Sequence, residues 1–118
     1  MGCPVVYFEI ISDDSEKAQE FYRDLFDWKI DADNPLNYGM VDTESDDSGI
    51  KGGIGDDMLD TGSHLTFYVE VPSIEETLKK AVEKGGTVIL EAFEIPGGSK
   101  IGLFNDPDGR RVGLVENS

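Results

Sequence analysis

The residues of this chain that could do chemistry fall on two short stretches. One is Tyr7-Phe8-Glu9; the other runs from His64 through Thr66 and Tyr68 to Glu70. Alternation along an extended strand puts Tyr7 and Glu9 on one face, and Thr66, Tyr68 and Glu70 on one face of the second stretch. A carboxylate between apolar neighbours, as Glu9 is between Phe8 and Ile10, can serve as a general base or as one ligand of an oxygen-rich Mg²⁺ or Mn²⁺ site. Its plainer role is a hydrogen-bonded carboxylate at an open rim, and Glu70 near its strand end fits that role better. The single histidine, His64, follows Gly62-Ser63 at the start of its strand and is expected to be solvent-exposed or to cap the turn. Cys3 and His64 lie on unrelated elements, so no Cys-His or Ser-His-Asp arrangement exists for nucleophilic catalysis.

The elements that position these residues repeat. A shift of 59 lays Leu65-Thr66-Phe67-Tyr68-Val69 on Val6-Tyr7-Phe8-Glu9-Ile10, and Ser73-Ile74-Glu75-Glu76 on Asp14-Ser15-Glu16-Lys17. Each copy reads as strand, polar turn and amphipathic helix, the mark of an internal duplication. In the first helix Ala18, Phe21, Tyr22, Leu25 and Phe26 form an apolar stripe expected to pack on Val6, Phe8 and Ile10. In the second, Ser73 and Glu76 form a capping box and Gly85-Gly86 ends the helix. Its stripe is Ile74, Leu78, Ala81 and Val82, facing Leu65, Phe67, Val69 and Val71. Short strands follow each helix, separated by the turns 44–49, Pro96-Gly97-Gly98 and Asp106-Pro107-Asp108-Gly109. Each half is therefore β-α-β-β-β, with a polar connector at 56–62. The glycines of 52–55 are no phosphate loop, because no helix follows and no GK[ST] ending is present.

Composition sets the outer bounds. The 118 residues make about one domain with one real core. A net charge of −15, from 25 acidic and 10 basic residues, repels nucleic acid and anionic membranes, so neither is expected as a partner. There is no apolar run of the ~20 residues that span a bilayer, and no basic leader before the first strand. The lone Cys3 suits a reducing compartment, and a cytoplasmic location is the expectation.

Three motifs carry a family resemblance. Phe21-Tyr22-Arg23-Asp24-Leu25-Phe26-Asp27-Trp28 resembles the "FYxxxLGW" helix end of the vicinal oxygen chelate superfamily, with Asp27 where glycine is usual. Val82-Glu83-Lys84-Gly85-Gly86 resembles its second helix end, and Phe104-Asn105-Asp106-Pro107-Asp108-Gly109 its final turn. That superfamily includes glyoxalases, bleomycin-resistance proteins and extradiol dioxygenases. The resemblance implies an α+β fold over residues 1–118, in which two βαβββ modules (4–57 and 63–117) form a curved mixed sheet around a cup, commonly as a homodimer. It also implies a metal ligand on the first and last strand of each module. The matching positions are Tyr7, Thr66, Gly113 and a site near Gly53 or Ile54, none of which offers the usual His, Gln or Glu. No metal and no cofactor are therefore expected. The expected cup lining is Tyr7, Glu9, Tyr38 (or Met40), Thr66, Tyr68, Phe104 and Arg111, an aromatic pocket for a small molecule. The alternative is a lyase, isomerase or dioxygenase-type enzyme with Glu9 as base or with an unorthodox metal site.

Overall fold

The computed structural model describes residues 2–43, 48–95 and 98–116. The expected turn at 44–49 and the turn at Pro96-Gly97 lie wholly or largely outside the described residues. The chain forms two compact units, residues 7–65 and residues 2–6 with 66–116. Among the described residues no helix is long and apolar enough to cross a membrane.

The first unit is built from β1 (Val5–Ser12), α1 (Ser15–Phe26), β2 (Lys29–Asp31), β3 (Gly39–Asp42) and β4 (Lys51–Asp56). Its strands lie in the order β2-β3-β4-β1. β1 runs parallel to β4, with Glu9 opposite Gly53, while β4 pairs antiparallel with β3. This register puts Phe8, Gly52, Ile54, Gly39 and Val41 on one face, and Tyr7, Glu9, Gly53, Gly55 and Met40 on the other. α1 packs on the first of these faces, over β4 and β2.

The contact made by α1 differs from the stripe expected from its apolar residues. Ser15 and Gln19 are its buried positions, whereas Phe21, Leu25 and Phe26 are each more than half exposed. The reason is the Gln19 amide, which donates to the Ile54 carbonyl at 2.9 Å and to the Asn37 carbonyl at 3.1 Å. Turning a leucine face inward instead would strand two backbone acceptors, at a cost of about 1–3 kcal/mol each. The aromatic residues serve the helix end: the Tyr22 ring stacks on Trp28 at 5.7 Å, and Phe8 meets Trp28 at 5.5 Å. Asp14 caps the N-terminus, its carboxylate accepting from the Lys17 N–H.

The second unit holds the bulk of β5 (His64–Val71), then α2 (Ile74–Glu83), β6 (Thr87–Glu94), β7 (Lys100–Asn105) and β8 (Arg111–Glu116). Its order is β5-β8-β7-β6, with β5 parallel to β8. Ser73 caps α2 by accepting from the Glu76 N–H, and Gly85, at φ 99°, turns the chain out of the helix. Val71, Ile74, Leu78 and Leu114 make the core. Leu65 and Phe67, expected under the helix, are exposed (71% and 44%). α2 lies over β6, β7 and β8, and a ten-residue helix is only about 15 Å long, so it leaves the start of β5 bare. Val82 is likewise exposed at the far end of α2. At the Asp106–Gly109 turn the Asp106 carboxylate accepts from the N–H groups of Asp108 and Arg110, and Gly109 takes φ 86°.

Asp27, at the position where the family helix end has glycine, adopts φ 58°, the left-handed conformation that favours glycine. Asp27→Gly is therefore expected to raise stability by about 0.5 kcal/mol in urea denaturation. Destabilisation by a similar amount would show that the Asp27 side chain earns its place.

Candidate functional site

The helix-free face of the first unit gathers Tyr7, Glu9, Tyr38 and His64. Tyr38 directly precedes β3, where the Asn34 side chain grips its backbone twice: Nδ2 donates to the Tyr38 carbonyl at 2.7 Å, and Oδ1 accepts from its N–H at 2.9 Å. Asn37, at φ 52°, turns the chain into that position. The Tyr38 ring then lies across β4, because Gly53 and Gly55 leave the space above the strand empty of side chains. A Cβ at Gly53 would overlap the Tyr38 hydroxyl, and one at Gly55 would crowd its ring.

Two hydrogen bonds follow from this placement. The Tyr38 hydroxyl donates to Glu9 Oε2 at 2.9 Å, and lies 2.9 Å from the Tyr7 hydroxyl. Because the Tyr38 proton is committed to the carboxylate, Tyr7 is the donor to Tyr38. Burial pushes the Tyr38 hydroxyl far above its ordinary value of 10.0, with the Glu9 and Tyr7 charges adding to the rise. Tyr7 is also raised, chiefly by burial; its bond with Tyr38 opposes the rise and the Glu9 charge assists it. Both phenols therefore stay protonated, Tyr38 donating to the carboxylate and Tyr7 to the Tyr38 hydroxyl.

His64 completes the group. Its side chain is 7% exposed and that of Glu9 14%, with His64 Nε2 3.7 Å from Glu9 Oε1. The other ring nitrogen, Nδ1, is 3.1 Å from the Gly62 carbonyl. The expected turn-capping role is thus present, while the expected solvent exposure is not. The connector that carries His64 is held by Asp57, whose carboxylate accepts from the N–H groups of Thr61 and Gly62 at 2.9 Å. The Thr61 N–H is the main cause of the lowered Asp57 pKa. Sequence reasoning read this connector as simply polar; the spacing Asp57-x-x-x-Thr61-Gly62 was the available signal for an Asx-type anchor.

In the second unit the remaining expected residues divide. Thr66 is 5% exposed, and its hydroxyl donates to the Arg111 carbonyl at 2.7 Å. Tyr68 is 4% exposed and its ring covers Gly113, where a Cβ would come within 2.7 Å of it. The Arg111 guanidinium donates from Nε to Asn105 Oδ1 at 3.2 Å. Phe104 is a correction to the expected lining. It pairs with Val112, shares the face of Leu114, and packs against the core under α2. The hairpin pairs Asn105 with Arg111, so Leu103 and Asn105, not Phe104, share the face of Tyr68 and Gly113. Glu70 stands opposite Val115, and its N–H donates to the Pro4 carbonyl.

The family's usual metal does not fit these residues. Tyrosine rings cover both last-strand glycines, Gly53 and Gly113, and the Thr66 hydroxyl is committed to a backbone carbonyl. No three His, Cys, Asp or Glu side chains converge among the described residues.

The chain belongs to the glyoxalase/bleomycin resistance protein/dioxygenase superfamily, whose model matches residues 5–114. Among curated relatives it is 26% identical over 117 residues to CFP32 of Mycobacterium tuberculosis (92% of this chain, 43% of that protein). It is 24% identical to the anthracycline biosynthesis protein DauV of a Streptomyces species (99% and 50%). The chain thus spans about half the length of the curated relatives it matches. Solved structures with the same fold include a superfamily member from Vibrio splendidus (TM-score 0.63, 18% identity, 98% of this chain and 100% of that one). Methylmalonyl-CoA epimerase from Mycobacterium tuberculosis is another (TM-score 0.62, 16% identity, 97% and 87%).

The raised tyrosines carry a pH signature. Above pH 10.0 the unfolded chain releases phenolic protons that the folded chain keeps, so stability falls as pH rises. Each retained proton contributes a slope of about 1.4 kcal/mol per pH unit. In urea denaturation across the alkaline range, Tyr38→Phe should fall less steeply than wild type by that amount. Parallel slopes would contradict the buried, protonated Tyr38.

Proposed function

We propose that this chain is a small-molecule-binding member of its superfamily, with Tyr7, Tyr38, Glu9 and His64 as the polar anchor and no requirement for the family's usual metal. The carrying observation is Glu9, a nearly buried carboxylate on the helix-free face that accepts from the Tyr38 hydroxyl, with His64 Nε2 3.7 Å from its other oxygen. A carboxylate withdrawn from water and oriented by a buried phenol suits recognition of a ligand's polar group. The family pattern carries the further proposal of a homodimer, and the lone Cys3 that of a cytoplasmic location. A second reading, an enzyme of lyase, isomerase or dioxygenase type with Glu9 as base, is supported by the closeness of His64 to that carboxylate. For it, Glu9→Gln must eliminate turnover while preserving the fold.

A thermal-shift screen of neutral, cationic and anionic aromatic fragments tests the binding reading. At least one charge class should stabilise the wild type, and Glu9→Gln should weaken that binding about tenfold or more, the worth of a charged hydrogen bond. Equal stabilisation of wild type and Glu9→Gln would remove this face from the site.

A further inference from the structure

The buried side of α1 carries two acceptors that the fold leaves unused. Ser15 and Gln19 lie one turn apart and are 4% and 5% exposed. The Gln19 amide gives its hydrogens to the Ile54 and Asn37 carbonyls, which fixes Oε1 as its accepting end. Neither that oxygen nor the Ser15 hydroxyl has a hydrogen-bond partner among the described residues, and neither is fully enclosed. Both residues line an open cavity of about 480 Å³ beside the start of the helix. Small-molecule sites span roughly 300–1,000 Å³, so the space suffices for a ligand. Oxygens this deeply placed must find their donors in that cavity.

The rest of the lining sets the charge of the donor. Asp14, Glu16, Glu20 and Asp56 all border the cavity. Asp56 Oδ1 accepts from the Ser15 N–H and Asp14 Oδ1 from the Lys17 N–H, so each keeps its second oxygen for other donors. Those bonds also occupy N–H groups that an anion would need at a helix start. Glu16 and Glu20, one turn apart, repel each other and join no ion pair among the described residues. Arg23 is the one cation of the lining, and its guanidinium donates to the Ile30 carbonyl at 3.2 Å. No three acidic side chains converge among the described residues. A metal ion needs such convergence, whereas ammonium groups set along a flexible chain suit acceptors that are spread out. We infer that this cavity is a second binding site, on the helix side of the sheet, for organic amines with two or more ammonium groups. One ammonium donates to Ser15 Oγ and Gln19 Oε1 within, and another lies between Glu16 and Glu20 at the rim. The net charge of −15 draws such cations towards the chain.

Calorimetric titration with spermidine at about 0.15 M salt, where long-range attraction is screened, tests the site. The wild type should bind one spermidine per chain saturably, and butylamine, with a single ammonium, about tenfold more weakly. Glu16→Gln with Glu20→Gln should weaken spermidine binding about fivefold, the worth of two exposed charge contacts. Ser15→Ala should weaken it about threefold, as loss of one neutral hydrogen bond does. Glu91→Gln with Glu94→Gln removes the same charge from β6, outside the lining, and should change affinity less than twofold. Absence of saturable binding would overturn the inference, as would equal losses in the two double variants, the mark of diffuse attraction to an acidic surface. Equal affinity of Ser15→Ala and wild type would also overturn it. Should Ser15→Ala fail to fold, the exposed Glu16 and Glu20 positions still decide the result.

Discussion

The first unit depends on an absence of side chains. β4 reads Lys51-Gly52-Gly53-Ile54-Gly55, and the bare backbone at Gly53 and Gly55 lets the Tyr38 ring lie flat against the strand. Any Cβ at Gly53 would evict the hydroxyl that donates to Glu9. The same strand is gripped from its other face by the Gln19 amide at the Ile54 carbonyl. Gln19 also holds Asn37, the residue before Tyr38. One buried amide therefore ties α1, β4 and the Tyr38 loop together, so the position of the candidate site is set by the packing of the helix on the opposite face. A buried polar group of this kind gives register as well as stability, because only one placement satisfies both carbonyls.

The second unit reaches a similar result by another route. Gly113 on β8 is covered by Tyr68, its register partner on the adjacent strand β5, whereas Gly53 is covered by a tyrosine from a loop. The glycine at the last-strand position persists in both copies of the duplicated module while the source of the tyrosine differs. In each copy an aromatic ring fills the place where the family pattern puts a ligand side chain. The proposal of metal-independent binding rests on that substitution.

The repeat, the capping box at Ser73, the Asp106–Gly109 turn and the βαβββ order were legible in the sequence because each follows from local rules of period, cap and turn. Tyr7 and Glu9 were placed by strand alternation alone, and their common face follows from the same rule. Four features were not legible, three of them for a tertiary reason. Counting apolar residues could not show that α1 turns Gln19 inward, since the demand comes from carbonyls on β4 and the loop before Tyr38. Phe104 changed face because its parity is fixed by the hairpin pairing of Asn105 with Arg111. His64 looked like a surface histidine at a strand start, and only the connector anchored by Asp57 brings it to Glu9. Tyr38 was named for its parity, but its double clamp by Asn34 needed the structure.

The central claim is that Tyr38 and Glu9 are coupled through one hydrogen bond, set by the glycines beneath. A double-mutant cycle of Tyr38→Phe and Glu9→Gln, read by urea denaturation at neutral pH, measures that coupling directly. The account predicts an interaction energy of about 1–2 kcal/mol, as befits a buried bond to a charged acceptor. Additive effects, with a coupling near zero, would contradict it and leave Tyr38 as a space-filling ring over bare backbone.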